Sequence, residues 1–361
     1  DKGTMLNLMD RDTNSPLHFA VSNGDVDLVK EILERGAFVN LKNSKYQTPL
    51  HIAVSRSFPS VVQLLLETGA RVNDRDAENR TSLHLAVLAN NEAIVTILID
   101  KGADVNSKDN RGRSPLHYAI SSKNLVITKL FLLNGANVDI TDKCSRTPLH
   151  LAILYQFISG VDPLIDNGAR INLRDRKSNT PLHYAARKRS DSLLKKLLER
   201  GAVVDVQDLK RRTPLHLVIQ LWSLSGADCV RVLLDYGASI YIKNRKGETP
   251  VGLGNGIYNL HNIFSELIIK TECAKLESNL SSKFRSNFVE SYHELHSFRT
   301  SCLTELEDIK TKKVGSSLLY DVFSKYSDPK FAMKLSMEEV IKSPSLDVEF
   351  PLYAALLRVI F

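Results

Sequence analysis

The sequence has few of the residues that stabilise small secreted domains or form zinc sites. Its 361 residues include only four cysteines, Cys144, Cys229, Cys273 and Cys302. They lie far apart, and no pair has the spacing of a zinc-ligand or redox motif. Reduced thiols are the simplest interpretation, so we expect a cytoplasmic or nuclear protein without a disulfide framework.

Long apolar runs are also missing. No stretch of about 18 apolar residues occurs, so we expect no membrane-spanning helix. The opening "DKGTMLNLMD" has neither the apolar core nor the cleavage pattern of a secretory signal. Residues 1–9 are interpreted as an N-terminal segment, in which "DKGTM" is typical of tag-derived residues and Met5 is the expected natural start.

Catalytic motifs are absent as well. The chain has no glycine-rich phosphate loop, no nucleophile elbow and no recognisable pair of catalytic carboxylates. The run "GLGNG" (Gly252–Gly256) is interpreted as a structural loop rather than a nucleotide site. We therefore expect a binding protein that is not an enzyme and needs neither a cofactor nor a metal.

One motif recurs every 33 residues. Copies of "TPLH", "SPLH" or "TSLH" begin at Ser15, Thr48, Thr81, Ser114, Thr147, Thr180 and Thr213, with a weaker "TPVG" at Thr249. A second motif keeps the same period, from "GAFVN" at Gly36 to "GASIY" at Gly237. Thr or Ser followed by Pro is typical of a helix start, and Gly of a helix end. Each unit is predicted to contain two helices and a finger-like hairpin, and its stability to come from stacking. The motif histidines are predicted to form hydrogen bonds within or between repeats.

This motif at this period resembles the ankyrin repeat family. The resemblance covers residues 10–259. It implies an all-α fold: an ankyrin-repeat solenoid of seven full repeats and a degenerate eighth, followed by an α-helical C-terminal domain. It also implies protein partners, which ankyrin proteins bind with their fingertips and with the concave face formed by the first helices.

Transferred by position, the resemblance predicts a protein-binding surface. Its residues are Arg111, Arg113, Lys143, Arg146, Leu154, Tyr155, Arg176, Lys177, Arg187, Lys188, Lys210, Arg212, Arg245 and Lys246. Residues 165–259 contain 17 Lys/Arg and 9 Asp/Glu, a net charge of +8. We therefore expect an acidic protein target; a merely soluble surface is the alternative. Nucleic acid ranks lower, because no aromatic series for base stacking interleaves the basic residues.

Two departures from the repeat carry structural predictions. Pro163 interrupts the second helix of the fifth repeat, which is predicted to start late, near Val161. Tyr46 and Arg211 replace the finger glycine that other units keep at Gly112 and Gly247, so their fingers are predicted to bend differently.

Residues 260–361 break the period and are predicted to form a helical domain that covers the end of the stack. A "C…LE" helix near Cys273, "SLLYDVFSK" (317–325) and "FPLYAALLRVIF" (350–361) resemble the PRANC domain. This domain follows ankyrin repeats in proteins of poxviruses, parasitoid wasps and insect endosymbionts, so delivery into a host cell is one expected route to the cytoplasm or nucleus.

The PRANC resemblance implies an F-box-like element that docks on an SCF-type ubiquitin ligase. No "LP…" F-box start follows "FPLY" here, so the element is expected either beyond Phe361 or not at all. The sequence therefore favours a non-enzymatic adaptor that captures a target and recruits it to an SCF-type ligase. The alternative is an inhibitor or scaffold that masks a signalling or transcription factor without ubiquitination.

Overall fold

The computed structural model describes residues 5–221 and 226–254, together with Leu260 and Ile263. Their regular elements are all helical: fifteen α-helices and a short 3₁₀ turn at Met5–Asn7. None of the described helices is long and apolar enough to cross a lipid bilayer. The predicted C-terminal helical domain, apart from Leu260 and Ile263, lies outside the described residues.

The helices form two sets that alternate along the chain. The odd-numbered helices begin at the recurring motif: α1 (Pro16–Asn23), α3 (Pro49–Ser55), α5 (Ser82–Leu88), α7 (Pro115–Ser121), α9 (Pro148–Leu154), α11 (Pro181–Lys188), α13 (Pro214–Gln220) and α15 (Pro250–Leu253). The even-numbered helices follow them: α2 (Val26–Glu34), α4 (Pro59–Glu67), α6 (Glu92–Asp100), α8 (Leu125–Leu133), α10 (Ile158–Asp166), α12 (Asp191–Glu199) and α14 (Gly226–Asp235).

Stacking of equivalent helices builds a continuous core. Each odd-numbered helix contacts the next odd-numbered one, and α2 to α10 do the same within the even-numbered set. The motif leucine is at most 1% exposed in all seven full repeats: Leu17, Leu50, Leu83, Leu116, Leu149, Leu182 and Leu215. Every unit thus buries its apolar face against its neighbours, as the 33-residue period predicts, and the solenoid fold is confirmed.

The motif histidine closes the start of each odd-numbered helix. In α3 the backbone N–H of Thr48 donates to His51 Nδ1 (3.2 Å), while the Thr48 side chain accepts from the backbone of His51. The same reciprocal cap, with histidine in the place usually taken by Glu or Gln, occurs from α1 to α13. Because Nδ1 accepts a hydrogen bond from an amide, the ring proton resides on Nε2.

That remaining ring proton connects neighbouring repeats. His51 Nε2 donates to the carbonyl of Arg80 at 3.3 Å, and the other six motif histidines donate to equivalent carbonyls at 3.1–3.2 Å. The acceptors are the carbonyls of Gln47, Arg80, Arg113, Arg146, Asn179, Arg212 and Glu248. Both expected roles of the histidines, within and between repeats, are therefore confirmed.

An asparagine link joins the repeats at a second point. Asn40 accepts from the N–H of Arg71 (2.8 Å) and donates to the carbonyl of Gly69 (3.1 Å). The same pair of bonds recurs at three further asparagines: Asn73, Asn106 and Asn172.

Two repeats have an aspartate at this linking position, which cannot donate. Asp139 is compensated by Arg170, whose Nε donates to it at 2.8 Å. Asp205 accepts only from the N–H of Ser239 (3.0 and 3.2 Å), and no cation pairs with it in the described part of the chain. Burial raises the pKa of Asp205.

The prediction for Tyr46 and Arg211 was wrong. Both adopt the left-handed conformation (φ 56° and 57°) of their glycine counterpart Gly112 (φ 73°). The amides of all three donate to the carbonyl three residues earlier at 2.8–2.9 Å, so the turn is the same. A side chain in this conformation costs about 1–2 kcal/mol. The Asp or Asn that opens each finger offsets this cost, because its Oδ1 accepts two backbone N–H groups at 2.8–3.0 Å in these fingers.

The prediction for Pro163 was also wrong. The helix starts at Ile158, in phase with the other even-numbered helices, and Pro163 lies inside it. Proline removes a single hydrogen-bond donor, whereas Val161 and Leu164 on the same helix are 0% exposed and lie among neighbours in α8 and α9. Packing therefore outweighs the local penalty.

The histidine links make stability depend on pH. Burial lowers the pKa of all seven motif histidines below 6.5, to about 4 at His84, His117 and His183. The unfolded chain takes up protons below pH 6.5 and the folded chain does not, so stability is full above that pH and is lost towards pH 4. We expect each histidine to contribute up to about 1.4 kcal/mol per pH unit in this window.

Urea unfolding followed by circular dichroism at pH 7.0, 6.0, 5.0 and 4.5 measures this loss. The aspartates of the fingers titrate separately, because Asp109, Asp142, Asp175 and Asp208 have pKa values below 3.8. An unfolding midpoint that stays constant between pH 7 and pH 5 contradicts the histidine assignment.

Candidate functional site

The fingertips are joined into a row by backbone hydrogen bonds. The N–H of Lys143 donates to the carbonyl of Arg111 (2.9 Å), and that of Arg176 donates to the carbonyl of Cys144 (3.0 Å). The same bond runs from Leu209 to Lys177 and from Arg245 to Lys210, both at 2.9 Å. Side chains on successive tips are therefore held next to one another at a fixed interval.

Seven of the predicted site residues lie on this row and are exposed. We call them the basic fingertip row: Arg111, Lys143, Arg176, Lys177, Lys210, Arg245 and Lys246. Within the described residues, no hydrogen bond or ion pair of their side chains is present, so their charges face solvent uncompensated. The two preceding tips carry Lys45 and Glu78, which cancel. The positive charge is therefore concentrated in the C-terminal half of the array.

Three other predicted residues are engaged inside their own fingers. Arg113, Arg146 and Arg212 pair with the aspartate four residues earlier at 3.2, 2.7 and 2.7 Å. Their side chains are only 24%, 28% and 17% exposed. These guanidinium groups hold the fingers closed, and most of their hydrogen-bonding capacity is used there.

The electrostatics of these pairs follow from burial and hydrogen bonding. Burial acts to raise the pKa of Asp142 and Asp208, but hydrogen bonds from Arg146 and Arg212 outweigh it and hold each pKa below its usual value. Both carboxylates are almost fully buried, at 2% and 3% side-chain exposure. They remain charged at neutral pH and depend on their arginines.

Two tyrosines complete this network, and sequence reasoning missed them. Tyr118 donates to Asp109 at 2.6 Å and Tyr184 donates to Asp175 at 2.8 Å. Arg113 also lies over the ring of Tyr118, 4.3 Å from its centroid. Burial and the bond to Asp109 raise the pKa of Tyr118 to about 12. The detectable signal is a tyrosine nine residues after the finger aspartate.

The remaining four predicted residues lie at the ends of α9 and α11. Leu154 is half-buried and Tyr155 is 40% exposed, while Arg187 and Lys188 are exposed. Sequence reasoning missed two exposed apolar residues at equivalent positions of other odd-numbered helices, Leu88 (53%) and Leu221 (45%), and a third, Phe19 (52%), inside α1. Alignment of the repeats by their period would have found Leu88 and Leu221.

Within the described residues, no group of three or more His, Cys, Asp or Glu side chains is arranged to hold a metal ion. An open groove of about 420 Å³ lies between the first two repeats, lined by residues that include Phe19, Lys45 and Arg56. Its lining is mixed, without a convergent set of buried polar groups.

The chain is similar to known proteins built from the same repeat. A family model for ankyrin repeats (3 copies) matches residues 17–109, 83–175, 116–208, 161–244 and 182–270. The ankyrin repeat domain of Bcl-3, described as a unique member of the IkappaB protein family, is 29% identical with a TM-score of 0.56. That match covers 62% of this chain and 100% of the Bcl-3 domain. The human ASB11 ankyrin repeat domain is 27% identical with a TM-score of 0.53, covering 63% and 99% of the two chains. No curated protein matches the chain by sequence.

Neighbouring basic residues of one finger are expected to differ in their effect on stability. Arg212→Ala leaves the buried carboxylate of Asp208 without its partner and should lower the free energy of unfolding by about 1–3 kcal/mol. Lys210→Ala removes an exposed, unpaired side chain and should change it by less than about 0.5 kcal/mol. Thermal unfolding of both variants measures the difference, and equal effects contradict the division of the basic residues into structural and free sets.

Proposed function

The chain belongs to the ankyrin-repeat family, and we propose that it is a non-enzymatic adaptor that captures an acidic protein target. The observation that carries the proposal is the basic fingertip row, whose unpaired charges are held in register by the backbone. Ankyrin repeats bind protein partners, and the positive charge of this row indicates an acidic partner.

A fixed row of cations speeds encounter with an acidic segment and aligns it. The net charge of +8 in residues 165–259 attracts polyanions over roughly one Debye length, about 8 Å at physiological salt. Because hydrogen bonds join the backbones of the tips, binding of a partner has to order mainly their side chains. The exposed tyrosine Tyr155 adds apolar contact area at the end of α9.

A protein target fits this surface better than a nucleic acid. Single-stranded nucleic acids are held by aromatic side chains on which their bases stack. The tip positions from Lys143 to Lys246 in the described fingers carry no aromatic residue. Positive charge without stacking aromatics therefore favours an acidic polypeptide over a single-stranded nucleic acid.

We further propose that the target is recruited to an SCF-type ubiquitin ligase, in the cytoplasm or nucleus of the cell where the protein acts. Support comes from the likeness of residues 260–361 to the PRANC domain, carried by "SLLYDVFSK" (317–325) and "FPLYAALLRVIF" (350–361). These segments lie outside the described residues. In the alternative, the array masks its target without ubiquitination.

Reversing charge on the free tips should weaken capture of an acidic chain. In the triple variant Arg176→Glu, Lys177→Glu and Lys210→Glu, loss of three exposed pairs at about 0.2–1 kcal/mol each should weaken binding of a fluorescein-labelled polyglutamate peptide roughly three- to 100-fold. The slope of log Kd against log salt should also become shallower. Fluorescence polarisation between 50 and 300 mM salt measures both.

The control keeps the same change in net charge but places it elsewhere. Arg71→Glu, Lys101→Glu and Lys129→Glu reverse three exposed basic residues outside the row. Equal weakening by both triple variants indicates a net-charge effect and overturns the assignment to the fingertips. Tighter binding of oligo(dT) than of polyglutamate by the unaltered chain overturns the choice of a protein target.

Recruitment to a ligase is tested separately by co-purification. The chain, immobilised through an N-terminal tag, is incubated with purified SCF core subunits, and the product of the natural gene is treated in parallel. If recruitment is the function, at least one of the two retains the ligase core, because the F-box-like element then lies within residues 260–361 or beyond them. Retention by neither, while polyglutamate still binds, supports the masking inhibitor.

A further inference from the structure

The ends of three neighbouring odd-numbered helices are apolar, basic and apolar in turn. At the end of α9 lie Leu154 and Tyr155, at the end of α11 lie Arg187 and Lys188, and after α13 comes Leu221. The helix α11 contacts α9 on one side and α13 on the other, so the basic end is central. We call these five residues the three-helix face.

The ends of α11 and α13 are tied together directly. Arg189, which follows α11, donates from its guanidinium to the carbonyl of Leu221 at 3.3 Å. The side-chain oxygen of Gln220 accepts from Arg212 at 3.4 Å, which connects the end of α13 to its finger. Leu221 is thereby held next to the residue that follows α11, while 45% of its surface stays exposed.

The pattern is local to these three helices. In α7, the positions equivalent to Leu154 and Tyr155 hold Ser121 and Ser122, whose hydroxyls donate to carbonyls of their own helix at 2.8 and 3.1 Å. The alternation of apolar and basic helix ends therefore begins at α9. Among the described residues, the side chains of Arg187 and Lys188 make no hydrogen bond or ion pair, so both charges remain available to a partner.

The distance between neighbouring helices determines the distance between the ligand residues that contact them. Packed helices lie about 8–10 Å apart. A polyproline II chain rises about 3.1 Å per residue with three residues per turn, so every third residue returns to the same side after about 9.3 Å. Positions 1, 4 and 7 of such a chain match α9, α11 and α13, whereas a β-strand would turn position 4 away.

We propose that the three-helix face binds a polyproline II segment with apolar residues at positions 1 and 7 and Asp or Glu at position 4. The central carboxylate pairs with Arg187 and Lys188, and the outer residues contact Tyr155 with Leu154 and, on the far side, Leu221. This inference rests on the proposed function and deepens it, because it specifies the sequence and conformation of the acidic segment.

Synthetic peptides test the three features separately. The probe is fluorescein-labelled Leu-Pro-Pro-Glu-Pro-Pro-Leu. Of three matched peptides, one has Lys in place of Glu, one has Ala in place of both Leu, and the third, Leu-Pro-Glu-Pro-Leu, has shorter spacers. We expect the probe to bind about tenfold or more tightly than each of them.

Protein variants locate the site. The double variant Arg187→Glu and Lys188→Glu should lose the Glu peptide and gain the Lys peptide, a charge swap that a merely destabilised protein does not produce. Tyr155→Ser should weaken the probe, whereas Leu88→Ser, at another exposed apolar helix end outside the face, should not. Circular dichroism confirms that each variant is folded.

The outcomes separate this inference from the proposed function. If polyglutamate binds with a steep salt dependence but the probe binds no better than its Lys or shorter counterpart, the three-helix face is wrong and the acidic-target adaptor stands. If neither polyglutamate nor the probe binds, both proposals fail. If the probe binds and Leu88→Ser weakens it as much as Tyr155→Ser, the site lies elsewhere on the concave surface.

Discussion

The hydrogen bond from each motif histidine to the next repeat is the interaction on which the rest of the structure depends. Its ring accepts from the cap of its own helix and donates to a backbone carbonyl 29 residues on, or 32 at the last repeat. A neutral ring with its proton on Nε2 is required for both bonds. Burial maintains that state by lowering the pKa. The start of one helix and the entry to the next are thus fixed by the same side chain.

The surface available for binding depends on this alignment of the repeats. The carbonyl that receives the histidine belongs to the last residue of the next finger, and in four fingers an aspartate paired with the arginine four residues later helps to hold the finger closed. Hydrogen bonds between the backbones of neighbouring tips then place their free cations in one row. The same residue type therefore has two roles: arginines beside a buried aspartate maintain the fingers, and lysines and arginines at the tips face a partner.

Most of the fold was predictable because its period is strict. Helix starts, helix ends and the histidine bonds all follow from residues that recur every 33 positions. Tyr46 and Pro163 show the limit of this reasoning. Each breaks a local preference worth about 1–3 kcal/mol, and the bonds and packing of the neighbouring repeats outweigh it. Local rules alone cannot weigh those contributions.

The binding surface was less predictable, because the sequence shows charge but not its partner. Arg146 and Lys143 look equivalent as basic finger residues, yet one is paired with Asp142 at 2.7 Å and the other is free. The aspartate four residues before each paired arginine was the available signal. Leu221 is a further case: it aligns with Tyr155 two repeats earlier, yet its exposure of 45% shows only in the structure.

The link at Asp205 differs in charge from its counterparts. The links at Asn40, Asn73, Asn106 and Asn172 have an amide that donates to the next repeat, and Asp139 has an arginine that compensates; Asp205 has neither among the described residues. The same junction is also joined by the contacts of α11 with α13 and of α12 with α14, and by the bond from Arg189 to the carbonyl of Leu221. In a stack whose stability is a sum of units and junctions, a well-packed junction tolerates one weak bond. The unpaired carboxylate is therefore a local defect that the neighbouring contacts offset.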